Sequence, residues 1–146
     1  MRRSLFLVLL LTCCLSACAK YMADHDVDFV NANRFFNEKK YSEAIAAYDK
    51  IAKDSPRSEL GARALYDAAF THAFYDNPYK DYTLALQKFD EFLHIYPNNE
   101  KARDAQNWRH ILSTVLEFKK ENEHLTRSIE QLKKIDIRHE EKRGKK

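Results

Sequence analysis

The chain has 146 residues, and its 25 Lys and Arg against 22 Asp and Glu give a formal net charge of +3, a balance that makes no electrostatic case for nucleic-acid binding. Two glycines and three prolines are too few for a protein rich in β-hairpins, and they leave no glycine-rich loop to cradle a phosphate. Cys13, Cys14 and Cys18 are the only cysteines, so everything after position 18 must be stabilised by packing without a disulfide. The expected class is all-α.

At the N-terminus, Arg2 and Arg3 supply positive charge, an apolar run extends from Leu5 to Leu15, and the chain turns polar after Cys18. This three-part layout is that of an export signal, and the apolar stretch is shorter than the ~20 residues of a membrane-spanning helix. Leu15-Ser16-Ala17-Cys18 resembles a lipobox, the recognition sequence of lipoprotein signal peptidase. That resemblance implies removal of residues 1–17, lipid on the Cys18 thiol and amine, and a lipidated tether over 18–23. Several acyl chains, at roughly 0.8 kcal/mol per buried CH₂, hold a protein on a membrane where one would not. Ala19 stands where an aspartate favours inner-membrane retention in enterobacterial lipoproteins. The implied location is therefore the outer membrane, lipid-anchored and facing the periplasm. A plain secretory signal with an incidental Cys18 is the alternative.

Helical patterns and stops then alternate. Between Asp26 and Lys39, Val27, Phe29, Val30, Ala32, Phe35 and Phe36 make one helical face. Ser42 is placed to cap a second helix with Ala44, Tyr48 and Ile51 on its inner side, stopped by Asp54-Ser55-Pro56. Ser58 starts a third helix carrying Leu65, Ala68 and Ala69. After Asp76-Asn77-Pro78, a fourth runs from about Tyr82 through Ala85 and Phe89 to Tyr96-Pro97.

The second and fourth helices share a spacing. Tyr41, Ala44, Tyr48 and Pro56 are matched by Tyr82, Ala85, Phe89 and Pro97. An alanine lets two helices approach closely, the aromatic beside it fills the gap, and the proline ends the hairpin. This resembles the second half of a tetratricopeptide repeat, and about two and a half such hairpins fit into residues 24–112. The lengthened loop around Asp76–Tyr79, followed by D-Y-x-x-A-L-x-x-F-x-x-F-L-x-x-Y-P, is similar to the BamD-like branch of outer-membrane lipoproteins. That branch carries about five hairpins, so the likeness implies fold and location but not BamD's own role. In tetratricopeptide proteins the first helices line a concave, peptide-binding groove. Carrying groove positions across gives Phe29, Asn33, Tyr66 and Phe70 as candidate partner-binding residues.

From Asn98, read as an N-cap, no proline or glycine interrupts the chain until Gly144. Ala102, Ala105 and Trp108 are expected to close the repeats. Beyond them the apolar spacing becomes three-and-four. Val115, Asn122 and Ile129 fall at a positions, with Phe118, Leu125 and Leu132 at d. This is a coiled-coil seam over 113–138, leading into a basic disordered tail at 139–146. The stripe either pairs in trans, as a homodimer or a hetero-coiled coil, or folds back on the repeats.

The six histidines make no H-E-x-x-H pattern, and no serine sits in a nucleophile elbow. No catalytic residue, metal ligand or cofactor is expected, apart from covalent lipid on Cys18. The expected function is a non-catalytic, lipid-anchored protein–protein interaction adaptor among envelope proteins. The alternative is a periplasmic lipoprotein regulator of a sensor histidine kinase. It rests on the ending I-E-Q-L-K-K-I-D-I-R-H-E-E-K-R, which resembles C-terminal helices of small lipoproteins encoded with such kinases.

Overall fold

A computed structural model describes residues 27–143. The leader 1–17, Cys18 and the tether 18–23 lie outside the described residues, as do 144–146. Among the described residues there are five α-helices and no strand. They are α1 over 27–37, then α2 Tyr41–Asp54, α3 Glu59–Ala73, α4 Tyr82–Ile95 and α5 Ala102–Arg143.

The helix ends follow local chemistry. Lys39 takes a left-handed φ of 61°, and the amides of Lys39 and Lys40 donate to Phe36 O (3.0 Å) and Phe35 O (2.9 Å). This is the Schellman closure that glycine usually serves. A lysine there costs about 1 kcal/mol. The chain enters α2 at once, with Lys40 as N-cap and no side-chain cap, so the Ser42 cap expected from sequence does not form. Burial of Tyr41, edge-on to Phe36 at 5.6 Å, draws the helix start ahead of the serine. The cap expected at Ser58 is present, its hydroxyl accepting from Gly61 N at 2.9 Å. Asp81 caps α4 through Thr83 N and Leu84 N. Before α5, Asn99 and not Asn98 holds the turn. Its Oδ1 accepts from Lys101 N, and its Nδ2 donates to Glu59, both at 3.0 Å.

Packing alternates between two layers. Rings link the odd-numbered helices: Phe36 of α1 lies 6.2 Å from Phe70 of α3, which lies 5.6 Å from Trp108 of α5. On the other layer Lys88 of α4 pairs with Asp49 of α2 at 2.6 Å. Helix α3 is central and alanine-rich. Ala64 and Ala68 face the cluster of α1 and α2, while Leu65, Tyr66 and Ala69 face α4 and α5. Small side chains on both faces let neighbouring helices approach closely.

The two hairpins repeat the same contacts. Tyr41, Ala44, Tyr48 and Ile51 are the buried residues of α2, and Ala85, Phe89 and Phe92 those of α4. Ala44 and Ala85 are fully buried. Tyr48 tilts against Phe29 at 5.7 Å, and Phe89 meets Tyr66 edge-on at 5.5 Å. This arrangement is consistent with a helical-repeat fold. It departs from simple repetition in the α3–α4 loop, which is built around Asn77, fully buried. Asn77 donates through Nδ2 to Thr71 O at 2.9 Å and accepts at Oδ1 from Tyr79 N at 2.9 Å. A buried amide so satisfied gives the extra loop residues one conformation.

Helix α5 has 42 residues, about 60 Å at 1.5 Å per residue. Its buried residues are Ala102, Ala105 and Leu112, and from Glu117 onward all but Ser128 are exposed. The segment expected to be a disordered tail is helical as far as Arg143.

Candidate interaction surfaces

The four groove candidates divide into two kinds. Phe29 and Tyr66 are 4% and 5% exposed, so these rings belong to the core and not to a groove surface. The resemblance carries groove positions onto them, but a cation from the next odd-numbered segment covers each. The Arg63 guanidinium sits 4.3 Å above the Phe29 ring, and Lys101 Nζ sits 4.7 Å above Tyr66. Tyr66 also donates its hydroxyl to Asp104. Burial, followed by Asp104 as acceptor and neighbouring charge, holds that phenol well above its ordinary range.

Asn33 and Phe70 are half-buried and open onto solvent. With Phe36, Tyr48, Asp67 and Thr71 they line a cleft of about 160 Å³. Tyr48 donates to Asn33 Oδ1 at 2.6 Å, which leaves the amide nitrogen of Asn33 as the remaining donor. Asp67 lies beside them. Its carboxyl is raised above the usual aspartate range because burial outweighs the nearby charges of Lys101 and Arg63. The surface along the odd-numbered helices is thus an aromatic floor with a carboxylate at its centre and cations around it. Arg63, Asp67, Lys101 and Asp104 are not among the residues that the motifs single out. The signal was available in α3, where positions 63, 66, 67 and 70 fall on one helical stripe.

The second surface is the face of α5 beyond the hairpins. Val115 is 38% exposed, Phe118 59%, Leu125 52%, Ile129 53% and Leu132 62%. Asn122 lies among them, its Nδ2 donating to Phe118 O one turn back at 2.9 Å. All six seam residues therefore stand on one exposed helical face. Beyond Glu117 the stripe is not covered by the described part of the body.

Among the described residues no group of three or more His, Cys, Asp or Glu side chains is placed to hold a metal ion. No described helix is long and apolar enough to cross a membrane. The fold and surfaces define an all-helical protein of layered hairpins with a long projecting C-terminal helix. No protein-family model matches the chain, and the searches of curated proteins and of solved structures also find no match.

Proposed function

We propose that the chain is a lipid-anchored, non-catalytic adaptor of the bacterial envelope, built from tetratricopeptide-type hairpins in the manner of the BamD-like branch. In this reading Cys18 carries lipid at the periplasmic face of the outer membrane, and the helical body brings envelope proteins together during assembly. The observation that carries the adaptor role is the unpartnered face of α5. More than half of the Phe118, Leu125, Ile129 and Leu132 surface meets water, at a free-energy cost that a partner would relieve. Leu15-Ser16-Ala17-Cys18 supports the anchor, and the recurring Ala44–Tyr48 and Ala85–Phe89 contacts support the repeat.

The anchor and the adaptor role are tested separately. Cys18→Ala should lose palmitate labelling and leave the membrane fraction; a variant that sediments with membranes as the wild type does refutes the anchor. Crosslinking in native membranes followed by isolation of the chain should recover outer-membrane assembly proteins. The helical continuation through Arg143, which carries the sequence likened to kinase-associated lipoproteins, favours a second reading as regulator of a sensor histidine kinase. Recovery of a kinase periplasmic domain instead of assembly proteins selects it.

A further inference from the structure

We infer that α5 pairs with α5 of a second copy of this chain, as a parallel, in-register two-stranded coiled coil running from Val115 to Leu132. The inference takes the same α5 face that carries the adaptor reading and names the partner on it as a second copy of this chain; it does not depend on the anchor. Six layers alternate as Val115, Phe118, Asn122, Leu125, Ile129 and Leu132, at the three-and-four spacing of a two-stranded seam. Every one of these large apolar residues is at least 38% exposed, so the face is available without unfolding the body. The opposite side of the helix carries Lys120, Glu123, Arg127, Glu130 and Lys134, which leaves a single apolar stripe and therefore a single seam.

Three features select a second copy as the occupant. First, parallel in-register pairing sets each a residue against itself, so Asn122 meets Asn122 and the amide oxygen of one accepts from the amide nitrogen of the other. An unrelated helix would need its own amide at that layer. Second, the flanking positions accept the arrangement. Thr114 faces Lys119 of the second copy, Glu121 faces Thr126, and Ser128 faces Lys133, so no like charges meet. Third, three heptads bury on the order of 1,200 Å² in total, the lower edge of what a specific dimer needs. The next a position is Asp136, where two carboxylates would face each other, and this ends the seam after Leu132. So small an interface with a polar layer at its centre makes a reversible, concentration-dependent pair.

The full chain in mild detergent, with the protein mass measured separately from the micelle, should be dimeric at about 100 µM and dissociate on dilution. Leu125→Asp combined with Ile129→Asp should weaken association by roughly a hundredfold or more while Trp108 fluorescence stays native. Both positions are exposed in the single chain, so the fold does not depend on them. A wild-type chain that stays monomeric at that concentration, or a double variant that still dimerises, overturns the inference. Register is read with a chain carrying serine at Cys13, Cys14 and Cys18. Asn122→Cys and Ile129→Cys, each as the sole thiol, should both oxidise to linked dimers. Failure of either position to link overturns the parallel, in-register pairing, since only that arrangement sets each a residue against itself.

Discussion

The two parts of α5 have similar apolar spacing and opposite fates. In the first, Ala102, Ala105 and Leu112 are buried, and Trp108 stacks on Phe89 at 6.2 Å with its plane 3° away. In the second, Phe118, Leu125, Ile129 and Leu132 project into water. The difference lies in what stands opposite. Alanines at 102 and 105 let α4 approach closely enough to cover that face, whereas past Leu112 the hairpins end and no described element is left to do so. A helical stripe records where burial is wanted; the neighbouring chain decides whether it happens.

The body should therefore be sensitive to single atoms and the extension indifferent to them, with Trp108, the one tryptophan, reporting the body alone. The largest effect is expected at Gly61. A Cβ there would press into the carbonyl oxygen of Ser55 and lie 3.0 Å from the Tyr96 hydroxyl. That oxygen also accepts from Ser58 Oγ at 2.6 Å, so it cannot retreat without loosening the cap. Gly61→Ala should cost about 3–4 kcal/mol, read as a lower thermal midpoint of Trp108 fluorescence. A loss below about 1 kcal/mol would mean that the α2–α3 turn yields, and that the body is as compliant as the extension.

Ala44 and Ala85 come next. Both are fully buried, and Ala85 shares its core with Phe89 and Phe92, so a leucine at either position must displace rings or helices. Ala85→Leu and Ala44→Leu should each cost about 1–3 kcal/mol of stability, read as a lower value of the same midpoint. If both midpoints hold, the close helix crossings are absent and the contrast between body and extension fails.

These positions also mark how far the sequence could be read. The alanine–aromatic spacing was legible because it answers to one physical demand, close helix approach, that recurs in α2 and α4. The exposed stripe was legible from period alone, which places Val115 through Leu132 on one face. Caps were less so. Ser42 and Asn98 have the right chemistry, but burial of Tyr41 and the Asn99–Glu59 contact, both set by distant elements, moved the helix starts. The groove positions carried across by resemblance gave no sign that Phe29 and Tyr66 would be buried, because the covering cations Arg63 and Lys101 come from other segments. Asn77 gave no sign at all of its burial, since Asp76-Asn77-Pro78 reads as an ordinary exposed turn.

The smallest effect expected in the body comes from His72, which has no counterpart in the extension, where His124 and His139 are exposed. His72 is buried with Nδ1 lacking any partner. Burial, and after it the charge of Lys88, holds its pKa below the ordinary histidine value of 6.5, with Asp49 and Asp81 opposing more weakly. The unfolded chain then binds this proton more readily than the folded one. Stability is therefore full above about pH 6.5 and falls as the pH drops below it, levelling only once the folded histidine is itself protonated. Asp67 shifts the other way: a carboxyl raised by burial favours the folded state as acid is added and so cannot produce the same loss. Trp108 midpoints measured from about pH 8 to pH 5 should fall for the wild type and fall less for His72→Gln, whatever the offset between them at pH 8. Equal slopes for the two chains would show that the proton enters His72 at no cost, and that this buried imidazole is as free to charge as a surface one.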